Sequence, residues 1–142
     1  MSKILIGVLT IVAIWSPAWA KLGDNSDRID DLYGNLLQRQ LRDDGNVSVV
    51  YHKGQYVYLV VFANDRSISE SYSHLNGKDL SEKEIAKFLK LNAFGGTWIS
   101  ANSSKERRFK RSDKGAEAMY GLTNGRRALT VRELGSKAIE RD

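Results

Sequence analysis

The stretch Gln55-Tyr56-Val57-Tyr58-Leu59-Val60-Val61-Phe62-Ala63-Asn64-Asp65 decides how this chain folds. A run rich in β-branched, aromatic and aliphatic side chains, closed by an Asn-Asp pair, has the composition of a strand entering a tight turn. Tyr56, Tyr58, Val60 and Phe62 fall on one face, and Val57, Leu59 and Val61 on the other. Both faces are apolar, which predicts a central strand with one face under a helix and the other partly covered. Working outward, alternation and turn residues predict further strands at 36–41, 47–52 and 67–74. The turns fall at Asp43-Asp44-Gly45-Asn46 and Lys53-Gly54, giving an antiparallel meander.

Helix signals flank this meander. Asn25 or Ser26 can cap a short helix carrying Ile29, Leu32 and Tyr33 at i, i+3 and i+4, with Gly34 as its stop. Ser81 and Glu84 form a capping box after Leu80, and Ile85, Phe88 and Leu89 make the apolar stripe of a second helix ending near Asn92. Beyond Gly95-Gly96, four more short strands are predicted at 97–101, 107–111, 116–123 and 127–134. The fold expected is therefore α+β, with short helices packed on an antiparallel β-meander sheet. Helix followed by strands occurs twice, and Lys53-Gly54 with Asn64-x-Arg66 is echoed by Lys114-Gly115 with Asn124-x-Arg126. This suggests two helix-plus-strands halves, 21–79 and 80–134, within a single domain 21–142 that ends in a charged tail, 135–142. Plain hairpins would give the same echoes.

The first twenty residues have the pattern of a secretory signal. Lys3 gives a positive start, residues 4–14 are a largely apolar run, Pro17 breaks the helix, and Ala18-Trp19-Ala20 is an A-x-A site. The apolar run is too short against the roughly 20 residues needed to span a bilayer, so cleavage after Ala20 is expected, with no transmembrane segment remaining. The short signal suits a bacterium, hence a periplasmic or secreted protein.

The chain of 142 residues has no Cys and a single Pro, with 22 Lys+Arg against 17 Asp+Glu. Disulfide scaffolds, Cys-based metal sites and attachment of lipid to an N-terminal Cys are thereby excluded. Positive charge concentrates late: residues 21–104 carry a net charge of −1, and residues 105–142 a net of +5.

Gly23, the short helix ending in Tyr33-Gly34, the meander with Phe62, Leu80-Ser81-x-x-Glu84-Ile85, Leu89, Asn92, Gly96 and Trp98 together resemble a group of small uncharacterised exported bacterial proteins. More remotely, the plan is similar to the BamE/SmpA-OmlA outer-membrane assembly lipoproteins and to the β-lactamase inhibitor proteins. Those resemblances imply a helix-on-antiparallel-sheet module and no activity. The lipoproteins carry a Cys at the mature start that this chain lacks, so membrane tethering does not transfer.

Catalytic signatures are weak. His52 and His74 are the only imidazoles, both at predicted strand ends, and no G-x-S-x-G elbow, H-E-x-x-H helix or phosphate-binding loop is present. Asp24, Asp27, Asp30 and Asp31 do not follow Ca²⁺-loop spacing, and no catalytic residue, metal or cofactor is expected. Two features suggest binding. The first is the basic run Lys105-Glu106-Arg107-Arg108-Phe109-Lys110-Arg111, joined by Arg126, Arg127 and Arg132, which could meet an acidic envelope protein or a polyanionic surface component. On a strand, Arg107 and Arg111 point one way and Arg108 and Lys110 the other. The second is a Tyr-rich sheet face, if Tyr56 and Tyr58 face outward. Export argues against nucleic acid. The sequence thus favours a non-enzymatic protein-interaction module of the bacterial envelope, with a secreted inhibitor of an extracytoplasmic enzyme as the alternative.

Overall fold

The computed structural model describes residues 20–101 and 106–135. Residues 1–19 of the signal segment, Lys105 and the tail beyond Gly135 lie outside the described residues. Eight strands, β1 (Asn35–Leu41), β2 (Val47–Lys53), β3 (Tyr56–Ala63), β4 (Arg66–His74), β5 (Trp98–Ser100), β6 (Arg107–Arg111), β7 (Ala116–Thr123) and β8 (Arg126–Glu133), form one antiparallel sheet. Their order across it is β1-β2-β3-β4-β8-β7-β6-β5. The junction lies between β4 and β8, in register from Ser69↔Arg132 to Tyr72↔Leu129. Among the described residues there are two helices, α1 (Ser26–Tyr33) and α2 (Glu82–Leu91).

This corrects the expected α+β architecture. Helices of eight and ten residues against eight strands make a sheet-dominated fold, and the two helix-plus-strands stretches join at β4 and β8 into one continuous sheet. The cause is local chemistry. Turn residues recur about every ten positions, so the backbone hydrogen bonds of most of the chain go into ladders. Asn64 and Asp65 both adopt left-handed backbone (φ 51° and 61°), as do Asn124 and Gly125 (51° and 76°), the geometry of two-residue hairpin turns. The helices have strong ends but little length: the Asn25 side chain accepts from the Arg28 amide, and Ser81 and Glu84 cap each other reciprocally. Each covers only part of the sheet.

Both helices lie on one face. Ile29 and Tyr33 of α1, and Ile85, Phe88 and Leu89 of α2, join Val49, Tyr51, Tyr58, Val60, Tyr72, Leu129 and Val131 of the sheet in one core. The register aligns the covered face in rows. One runs Tyr51–Tyr58–Tyr72–Leu129–Tyr120, and the next runs Val49–Val60–Glu70–Val131–Ala118–Phe109. Rings stack through the first row into the helices, Tyr33 on Tyr58 at 4.1 Å and Phe88 on Tyr72 at 4.2 Å between centroids.

Candidate functional site

Alternation along the strands puts a different set of side chains on the other face, over which no described element packs. One row runs Gln38–Val50–Leu59–Ser71–Thr130–Met119–Arg108, and its neighbour runs Gln40–Ser48–Val61–Ser69–Arg132–Glu117–Lys110–Ile99. The first row is aliphatic on β2 and β3 and charged only at Arg108 of β6; the second has on β2 and β3 the single aliphatic Val61, and charge on β6 to β8; both carry a serine on β4. Ser69, Ser71 and Ser73 alternate along β4 and floor the middle of this face, where Ser71 and Thr130 hydroxyls bond at 2.8 Å. Small side chains between larger ones leave recesses. One, of about 590 Å³, is bordered by Gln38, Asp43, Val50, Leu59, Val61 and Asn124. A second, of about 170 Å³, shares Val50, Leu59 and Asn124 and adds Val57, Ser73 and Ala128. A third, of about 290 Å³, lies among Arg108, Lys110, Glu117, Met119 and Arg132. The hairpin tip at Asn124 thus borders the first two.

The basic residues singled out from the sequence do not make one patch. Arg107, Arg111 and Arg127 belong to the covered face and are occupied there. Arg107 forms a bidentate pair with Glu82 of α2 and lies over Phe109. Arg111 bonds Asp113 at 2.8 Å, donates to the Asn92 carbonyl at 3.0 Å and lies over the Phe94 ring. Arg127 pairs with Asp79 at 2.8 Å. Arg108 and Lys110 point to the open face, Arg108 paired with Glu106 at 2.8 Å, beside the pair that Arg132 makes with Glu117. Arg126 donates to the His74 and Leu75 carbonyls, and also borders the apolar recess.

Tyr56 and Tyr58 do not form an outward Tyr-rich surface. Tyr58 is buried in the core, and Tyr56 stacks on His74 with centroids 5.1 Å apart while its hydroxyl donates to Glu84. The reason is the packing of β3: the aromatic face fits under the helices, and the aliphatic face is left open. That aliphatic face is what sequence reasoning missed as a site, although alternating serines on β4 beside an all-aliphatic face of β3 were there to signal it.

Both imidazoles have local roles. His74 is buried and bonds Glu84 through Nε2 at 3.0 Å, and His52 Nε2 contacts the Gly54 carbonyl of its own turn at 2.8 Å. Burial of Glu84 works against its ionisation. The Ser81 amide, the Tyr56 hydroxyl, His74 and the Ser81 hydroxyl outweigh that, holding its carboxyl at about 2. Among the described residues no cluster of three or more His, Cys, Asp or Glu could hold a metal ion, and no helix is long and apolar enough to cross a membrane.

No protein-family model matches the chain, and the search of curated proteins returns no match. Among solved structures it is similar to a cysteine-rich secretory protein from Staphylococcus aureus, with 13% identity and a TM-score of 0.45 over 83% of this chain and 44% of that one. The chain therefore spans less than half the length of that protein, and the likeness carries no functional argument.

Proposed function

We propose that this chain is an exported, non-enzymatic protein of the bacterial envelope that binds a protein partner with the open face of its sheet. The observation that carries the reading is the unlayered face itself. It has an aliphatic centre of Val50, Val57, Leu59 and Met119, a serine floor and recesses on either side, with Arg108, Lys110 and Arg132 around one recess and Arg126 beside another. An apolar centre with a polar, charged margin is the anatomy of a protein-binding surface. Export rests on the signal pattern of residues 1–20, with cleavage after Ala20. A partner that presents apolar side chains beside carboxylates fits both parts of the face. A polyanion would use the basic side chains alone.

The second reading, inhibition of an extracytoplasmic enzyme, draws on Phe94, an exposed aromatic with left-handed backbone (φ 49°) at the head of the Gly95-Gly96 loop. Affinity capture from the host's envelope extract, at low and high salt, tests both. We expect a protein captured by the wild type, weakened by salt and lost from a Leu59→Asp, Met119→Glu variant that still folds. Capture unchanged in that variant would sink the open-face reading. Capture lost only with Phe94→Ala, of an enzyme whose activity the wild type suppresses, would favour inhibition.

A further inference from the structure

The first described residues are not a loose end but a strap bonded to α1, α2 and β4. Ala20 is fully buried; its amide donates to Tyr33 Oη at 3.0 Å, and that hydroxyl donates back to the Ala20 carbonyl at 3.4 Å. The Leu22 amide donates to Oδ1 of the buried Asn92 at the end of α2. Gly23 and Asp24 exchange backbone hydrogen bonds with Ser67, at 2.9 Å each. Between them, the Lys21 amide donates to Asp24 Oδ2 at 3.0 Å, and the Lys21 carbonyl accepts from Ser67 Oγ at 3.1 Å.

That same Ser67 hydroxyl lies 3.3 Å from Glu70 Oε2, and Glu70 is the anomaly of the core. It stands between Val60 and Val131 in an otherwise apolar row, only 1% exposed, and its Oε1 has no hydrogen-bond partner. Burial pushes the carboxyl up to about 8; the Ser67 hydroxyl opposes the rise and the charge of Asp24 adds to it. Asp24 is paired with Arg28 at 3.4 Å, whereas among the described residues no cation pairs with the buried Glu70 carboxyl itself. The Lys21 side chain does not fill that role in the structure, since its ammonium lies over the Phe94 ring, 5.6 Å from the centroid.

We infer that the missing cation is the chain's own α-ammonium: processing after Ala20 converts the Lys21 amide nitrogen into an ammonium group that stays on Asp24 and serves as counter-charge to Glu70. The inference rests on the export reading. In the processing step a host signal-processing peptidase adds water across the Ala20–Lys21 peptide bond. The water oxygen joins the Ala20 carbonyl carbon, which departs as a carboxylate, and the Lys21 nitrogen takes up protons to become the ammonium. Loss of Ala20 removes the donor to Tyr33 Oη, and the new group brings three N–H bonds where the amide had one. The mature N-terminus is then a bound structural group, and the precursor carries an uncompensated carboxyl in its core.

The test compares two chains, one beginning at Lys21 and one at Trp19, each with Glu70 and with Glu70→Gln. In the Lys21 chain the substitution should lower Tm by about 4 °C or more; in the Trp19 chain, where Lys21 keeps its amide, it should leave Tm unchanged or raise it. Shifts of the same sign and size in both would overturn the inference. If Glu70→Gln does not fold, Asp24→Asn serves in the same comparison. ¹⁵N NMR of the Lys21 α-amino group gives a second measurement: a pKa above the ordinary 7.7–8.0 supports the bound ammonium, and an ordinary value overturns it. Intact mass of the protein recovered from its host separates the failures. A start other than Lys21 removes the cleavage reading and this inference with it, whereas a Lys21 start with equal Glu70→Gln shifts removes this inference alone.

Discussion

The two faces of the sheet are made by the same strands, yet adjacent rows differ in kind. Tyr51, Tyr58, Tyr72, Leu129 and Tyr120 face the helices, while Val50, Leu59, Ser71, Thr130 and Met119, one residue along each strand, face away. On the covered face bulk is matched by bulk, and hydroxyls carried into the interior find partners: Tyr51 on Asp30, Tyr56 on Glu84, Tyr72 with Asn92, and Tyr120 with the Leu80 amide. On the open face the middle of the row shrinks to serine and threonine, which bond to each other and leave space. One face spends its side chains on packing. The other keeps a surface with relief, the kind a partner can occupy.

The sharpest way to break this contrast is to remove one large side chain from each face. Phe88→Ala deletes a fully buried ring stacked on Tyr72 and should cost about 3–5 kcal/mol in urea unfolding. Leu59→Ala, on the open face, should cost about 1 kcal/mol, because its side chain is only partly removed from water. Equal losses would mean that the open face is packed in solution by something the contrast omits. A smaller probe is Tyr72→Phe, which keeps the ring and leaves the buried Asn92 amide short of one acceptor. About 1–2 kcal/mol is expected.

Much of this was legible beforehand, and the reasons are local. Asn64-Asp65 closes a hairpin because those residues tolerate left-handed backbone, and Ser81 with Glu84 starts a helix because each satisfies an amide of the other. Strand positions therefore came out close to those found. The balance of the fold did not, since two well-capped helix starts read like half an architecture while carrying only 18 residues between them. The rest was hidden for a different reason: β4 pairs with β8 across some 60 residues of chain, and no local pattern encodes that neighbour. Without that pairing, Glu70 looks like an ordinary surface glutamate among serines, and the pairing is what buries it. The split of Arg107 and Arg111 from Arg108 and Lys110 was legible, because strand alternation alone sets it; which of the two faces the helices cover was not.

Acid should distinguish the faces next, because the covered side holds the strongly lowered carboxyl. Glu84 titrates near 2 when folded and near 4.3 when unfolded, so its contribution is complete above the unfolded value and is lost as pH falls towards 2. Glu84→Gln, which also weakens the α2 cap, should cost about 1 kcal/mol at neutral pH and flatten the acid limb of a stability–pH curve. An unchanged acid limb would show that the His74–Glu84–Tyr56 cluster does not hold in solution.

The smallest expected change in stability carries the largest expected change in binding. Arg108→Glu with Lys110→Glu alters only exposed side chains on the open face and should move stability by no more than about 0.5 kcal/mol. Binding should nevertheless fall sharply at low salt, where unscreened charge contributes most. Arg107→Glu with Arg111→Glu makes the same change in net charge on the same strand, yet it breaks the pair with Glu82 and the bond to the Asn92 carbonyl. That variant should therefore lose stability and keep its partner once folded. If the two double variants weaken binding equally, the partner senses the charge of β6 as a whole and not the face that presents it. If only the first does, the pleat of one five-residue strand separates a structural use of arginine from a binding one.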